Sequence, residues 1–142
     1  MKARTSIAAV GATAIIGAGA FLLPAVASPS SATHTLTFTA VSGKEASFSK
    51  TTGGQQEKDV NSKGKIVGFD EIYFHGNSPR GGVTLDTSGG FLYGTLKFTN
   101  SAVTHGTVTG GTGKFKGVTG TIVGNNPKKN GTRTAVTITY HH

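Results

Sequence analysis

The sequence predicts an all-β protein, an eight-stranded antiparallel β-barrel, from three observations. Thr, Val, Ile, Phe and Tyr recur in short runs, the composition that suits a pleated, half-buried surface. Glycine clusters, drawn from 22 glycines in 142 residues, separate those runs and mark reversals of the chain. No stretch of useful length carries an apolar period near 3.6, so crossover helices are absent and neighbouring strands must run antiparallel.

The N-terminus reads differently from the rest. Lys2 and Arg4 form a short basic region, and an apolar, small-residue run follows from Ile7 to Leu23. Small residues stand at the −3 and −1 positions of a cut after Ala27, the layout of a secretory signal peptide. A second cut site follows Ala32. Gly11, Gly17 and Gly19 interrupt the apolar run and make it a poor membrane span. The expected organisation is a signal peptide over 1–27, a flexible leader over 28–33 and one barrel domain over 34–142, secreted to the extracellular space. The domain is long enough for one modest core.

The expected strands are His34–Val41, Glu45–Lys50, Lys65–Phe74, Val83–Asp86, Phe91–Thr99, Thr104–Thr109, Phe115–Val123 and Thr132–Tyr140. Between them lie breaks such as Thr52-Gly53-Gly54, Ser88-Gly89-Gly90 and Gly110-Gly111-Thr112-Gly113. Asn130-Gly131 suits a tight turn with positive φ. The stretch best suited to a helical turn is 55–61, short and polar. In the third strand one face carries Ile66, Gly68, Asp70, Ile72 and Phe74, and the other Val67, Phe69, Glu71, Tyr73 and His75. Both faces are largely apolar, which predicts cover on both sides, one face lining the barrel and the other packing under a loop or another subunit. In the first and last strands the reverse faces are threonine-rich and read as solvated, or as lining a polar lumen. Eight strands can close, and closure leaves no bare edge.

Composition narrows the chemistry. The formal charge is +8, but the lysines are scattered and no aromatic-interleaved basic stripe is present, so nucleic acid is not an expected partner. The positive charge suits solubility, or contact with anionic wall polymers and surfaces. There is no cysteine, which removes thiol catalysis, thiolate metal sites and disulfide staples. The five histidines lack zinc-ligand spacing, so no metal and no cofactor are expected. Gly110-Gly111-Thr112-Gly113-Lys114 fails as a phosphate loop, because Val108 replaces the first glycine and Phe115 the magnesium-binding hydroxyl.

Two segments carry a family resemblance. Asp59-Val60-Asn61-Ser62-Lys63-Gly64-Lys65-Ile66-Val67-Gly68-Phe69-Asp70 resembles the dirigent pattern of a polar turn, Gly-Lys, a hydrophobic pair and Gly-x-Asp. Val108-Thr109-Gly110-Gly111-Thr112-Gly113-Lys114-Phe115-Lys116-Gly117-Val118-Thr119-Gly120 is similar to the Thr-Gly-Gly-Thr-Gly-x-aromatic segment of dirigent and allene oxide cyclase proteins, which ends in a small-residue turn. Phe91-Leu92-Tyr93-Gly94-Thr95-Leu96 stands where that family has its central strand. The resemblance spans most of 34–140. It implies an allene oxide cyclase-like, calycin-like barrel with an apolar pocket at one end, frequent homotrimers, and cofactor-free cyclisation or isomerisation of a small hydrophobic molecule. Lys114 and Val118-Thr119-Gly120 depart from the plant dirigent pattern, and the dirigent cysteine pair is missing.

Asp70 matches the family's acid and shares a face with Ile66, Ile72 and Phe74. Such neighbours would desolvate its carboxyl and raise its pKa. Glu71 points the opposite way on a regular strand and cannot pair with it. Asp70, Tyr73 and His75 are the candidate catalytic residues, and Phe38, Phe74, Tyr93, His105 and Arg133 the candidate ligand contacts. The rival reading is a non-enzymatic ligand carrier or a cell-wall or surface-associated interaction protein. A buried Asp70 facing a cavity beside Tyr or His favours catalysis, whereas a barrel filled with side chains favours the rival.

Overall fold

In the computed structural model the described residues are 32–76, 78–99, 102–128 and 131–142. The expected signal peptide, most of the leader, Asn77 and Asn130 lie outside them. The chain forms strands β1 (His34–Ser47), β2 (Thr52–Val60), β3 (Ile66–His75), β4 (Arg80–Thr87), β5 (Gly90–Lys97), β6 (Val103–Gly111), β7 (Thr119–Asn125) and β8 (Arg133–His141). They pair in sequence order and close into a barrel. Every pairing is antiparallel, and β1 meets β8 with His34 opposite Tyr140 and Val41 opposite Arg133. The barrel expected from the sequence is therefore the barrel observed.

Three assignments differ. Glu45–Lys50 is not a separate strand. Its first residues extend β1 past an irregularity between Ser42 and Glu45. The second strand is instead Thr52–Val60, the segment read as a glycine break and a polar helical turn. β2 has no apolar alternation because its inward positions are Gly53, Gln55, Glu57 and Asp59. Its strand character comes from the ladders it completes with β1 and β3 on either side. Phe115, expected to begin the seventh strand, lies in a short 3-10 turn, Gly113–Phe115. Gly113 has φ +57 and its Cβ position is occupied by the Gly89 backbone, so only glycine fits that corner.

The core follows the strand alternation. Leu85, Leu92, Leu96, Val108, Ile122 and Ile138 point inward from five of the strands and are buried, with Tyr140 and Phe115 at one end. Phe115 is fully buried and meets the Tyr140 ring edge-on at 5.5 Å, so the turn plugs that end of the barrel. His34 also stacks on Tyr140, with ring centroids 5.3 Å apart. Inward glycines make room for large neighbours: a Cβ on Gly94 would stand 2.6 Å from Ile122 Cδ1. The β2–β3 turn is held by Asn61, whose Oδ1 accepts from the Lys63 and Lys65 amides at 2.9 and 3.0 Å.

Within this chain, the described residues cover β3 on its inner face only. Its outer face leaves Val67, Phe69 and Tyr73 exposed at 42%, 51% and 42%. The reverse face of β1 is solvated at Thr35 and Thr37, as is that of β8 at Arg133, Ala135 and Thr137.

Candidate functional site

Three carboxyls enter the barrel from adjacent strands. Glu57 and Asp59 come from β2 and Asp70 from β3, and all are buried, Asp59 completely. Glu57 stands directly opposite Asp70 in the ladder, and Asp59 lies one step along, opposite Gly68. Gly68 leaves space beside Asp59, since a Cβ there would sit 3.2 Å from Asp59 Oδ2. Glu57 accepts a hydrogen bond from Ser42 Oγ at 2.8 Å. Both oxygens of Asp59 and Oδ1 of Asp70 have no protein donor among the described residues.

The absence of donors decides the protonation. A buried carboxylate with neither donor nor counter-ion takes up a proton instead of staying charged. Burial, then the charges of Asp59 and Glu57, push the Asp70 carboxyl up to about 9, so it is the carboxyl that keeps its proton. The neighbouring Asp59 is raised to about 7, chiefly by burial, and its interaction with Asp70 offsets part of that rise. Burial also raises Glu57, and the Ser42 hydroxyl partly offsets this. At neutral pH the cluster therefore contains a carboxylic acid able to donate, with a second carboxyl beside it to receive.

The acids stand beneath an open mouth. At the end opposite Phe115, a cavity of about 560 Å³ is bounded by Ser42, Gln55, Glu57, Thr104, Asn126 and Thr134, with Ile72, Leu96 and Phe98 as its apolar wall. Below it a neck of about 50 Å³ is lined by Glu57, Asp70 and the apolar core. Glu57, Ile72 and Leu96 border both spaces. Asn126 Oδ1 borders the mouth without a donor, while its amide nitrogen holds Gly131 O at 2.7 Å. At the closed end a third space of about 250 Å³ runs beside Asp59, Leu36, Phe38, Leu85 and Phe115, with Lys114 at its rim.

The sequence-selected residues divide between the two sides of the sheet. Asp70 and Phe38 face the lumen, and both border the neck. Phe74 shares that face of β3 and packs across Gly53, where a Cβ would stand 2.6 Å from its ring. Tyr73 and His75 stand on the outer face of β3, Tyr93 on that of β5, His105 on that of β6 and Arg133 on that of β8, all exposed. Strand alternation puts positions 73 and 75 opposite to 70, so neither side chain can act on a molecule held beside Asp70. Tyr73 bonds Glu71 on the outside, which raises the phenol's pKa. The sequence reading missed Glu57 and Asp59. The available signal was the every-other-residue spacing of Gln55, Glu57 and Asp59, which places all three on one face once the segment is a strand.

No family model matches the chain, and no curated protein matches it. Among solved structures, pyocyanin demethylase superposes with a TM-score of 0.57 at 18% identity, over 75% of this chain and 99% of that one. At that identity the likeness is one of fold: a small closed barrel of the same general construction.

Proposed function

We propose that this barrel is an exported binder of a small molecule with an apolar body, seated in the open mouth and acted on by the acid cluster at its floor. The observation that carries the reading is the placement of Glu57 and Asp70 under a cavity of about 560 Å³, a volume typical of small-molecule sites. The apolar wall of Ile72, Leu96 and Phe98 would take the ligand's body, and Asn126 Oδ1 and the threonine hydroxyls its polar groups. In the allene oxide cyclase and dirigent manner, the chemistry would be cofactor-free isomerisation or cyclisation. Protonated Asp70 donates to an oxygen as negative charge develops there, and Asp59 sets and restores that proton. The pocket supplies the remaining contribution by holding the ligand in a folded conformation.

A second reading, a non-enzymatic carrier, is favoured by one feature. Among the described residues, no Tyr or His borders the mouth or the neck beside the acids.

The test is titration with the apolar fluorophore N-phenyl-1-naphthylamine, alongside native mass spectrometry of the protein recovered from culture medium. Saturable fluorescence that Leu96→Trp abolishes without changing the circular dichroism supports binding in the mouth. A retained small molecule recovered chemically unchanged favours the carrier. A barrel that binds neither probe nor native ligand rules out both readings.

A further inference from the structure

We infer that the outer face of β3–β5 is a binding site for a soluble quaternary ammonium ion, separate from the lumen. The ladder aligns two rows of side chains across these strands. Phe69, Asp86 and Phe91 form one row and Glu71, Thr84 and Tyr93 the next. Asp86 is thus flanked on both sides by a phenylalanine. The rings of Phe69, Phe91 and Tyr93 are exposed at 51%, 42% and 39%. Those of Phe91 and Tyr93 are stacked, parallel within 7°, with centroids 6.5 Å apart. A recess of about 280 Å³ opens between the phenylalanines, bounded by Phe69, Glu71, Asp86 and Phe91, with Glu57 and Asp70 also at its border.

Charge selects the occupant. The protein carries a formal charge of +8 and only six acids. Glu57, Asp59 and Asp70 are inside the barrel, and Glu71 and Asp86 both stand in this recess. The Asp86 carboxylate has no hydrogen-bond or ion-pair partner among the described residues. Lys58 stands beyond Phe69, opposite it in the β2–β3 ladder, and makes no ion pair with either acid among the described residues. Local negative charge between aromatic rings, on an otherwise basic surface, repels anions and draws a cation. Aromatic side chains around a carboxylate are the chemistry that holds methylated ammonium groups, which shed water cheaply and rest against ring π-systems. β3 and β5 are two strand spacings apart, about 9.6 Å, enough for one trimethylammonium group between their side chains.

The test is titration of the full-length protein with choline chloride, followed through the backbone amide resonances of Phe69, Asp86 and Phe91. Saturable shifts confined to this face are expected. Asp86→Asn and Phe91→Ala should each weaken binding about threefold or more, while leaving the melting temperature and the lumen's response to N-phenyl-1-naphthylamine unchanged. Equal affinity in the variants, or shifts that ammonium chloride reproduces at the same concentration, would overturn the site. So would light scattering that shows an oligomer whose assembly Phe69→Ala and Phe91→Ala disrupt, because that face would then be an interface between copies.

Discussion

Glu57 and Asp70 face each other directly across the β2–β3 ladder, both turned into the lumen, with Asp59 one step away. Three acids in one buried space cannot all ionise, so folding binds protons that the unfolded chain would release. This arrangement governs how the barrel responds to pH.

Stability should fall as pH rises. In the folded state Asp59 and Asp70 titrate at about 7 and about 9, against 3.8 without the fold. Their contribution is complete below pH 4 and is lost as pH climbs through those two values. The melting temperature, followed by circular dichroism, should be lower at pH 9.5 than at pH 5, by roughly 5 °C or more. Asp70→Asn should flatten the upper part of that decline. A melting temperature that rises across the same range would contradict the buried cluster.

Asp59→Asn should lower the pKa of Asp70. It removes the neighbouring charge, the largest influence after burial, and supplies an amide donor to the Asp70 carboxylate. Carbon-13 titration of the aspartate carboxyls would detect the shift. An unmoved Asp70 would mean that the two carboxyls do not interact.

Phe115→Ala should cost about 3–5 kcal/mol, the usual penalty for deleting a fully buried phenyl ring. Urea denaturation would measure it. Because the ring plugs the barrel beside Tyr140, the variant should also bind N-phenyl-1-naphthylamine at the closed end. A change below about 1 kcal/mol would show that the turn is not part of the core.

Gly94→Ala should destabilise by about 1–3 kcal/mol through overpacking, since the added carbon meets Ile122 Cδ1 at 2.6 Å and the Thr107 carbonyl at 2.9 Å. Gly94→Ala combined with Ile122→Val should recover part of the loss, because the clash with the side chain is relieved. Equal melting temperatures for the two would place the conflict wholly in the backbone.

Much of this protein is settled locally, by sequence. Threonine and β-branched runs cut by glycine clusters demand short strands, and strand alternation by itself turns Asp70 with Ile72 to one side and Tyr73 with His75 to the other. Other features exist only once distant segments meet. Gln55–Val60 has no apolar period and becomes a strand because β1 and β3 each leave a ladder for it to fill. That pairing brings Glu57 and Asp59 to Asp70, and closure of the barrel then removes water from all three. Phe115 likewise becomes a plug only because Tyr140, from the far end of the chain, stands beneath it. Side-chain direction follows the two-residue repeat of a strand, whereas burial, and with it the protonation of the acids, depends on which strands become neighbours.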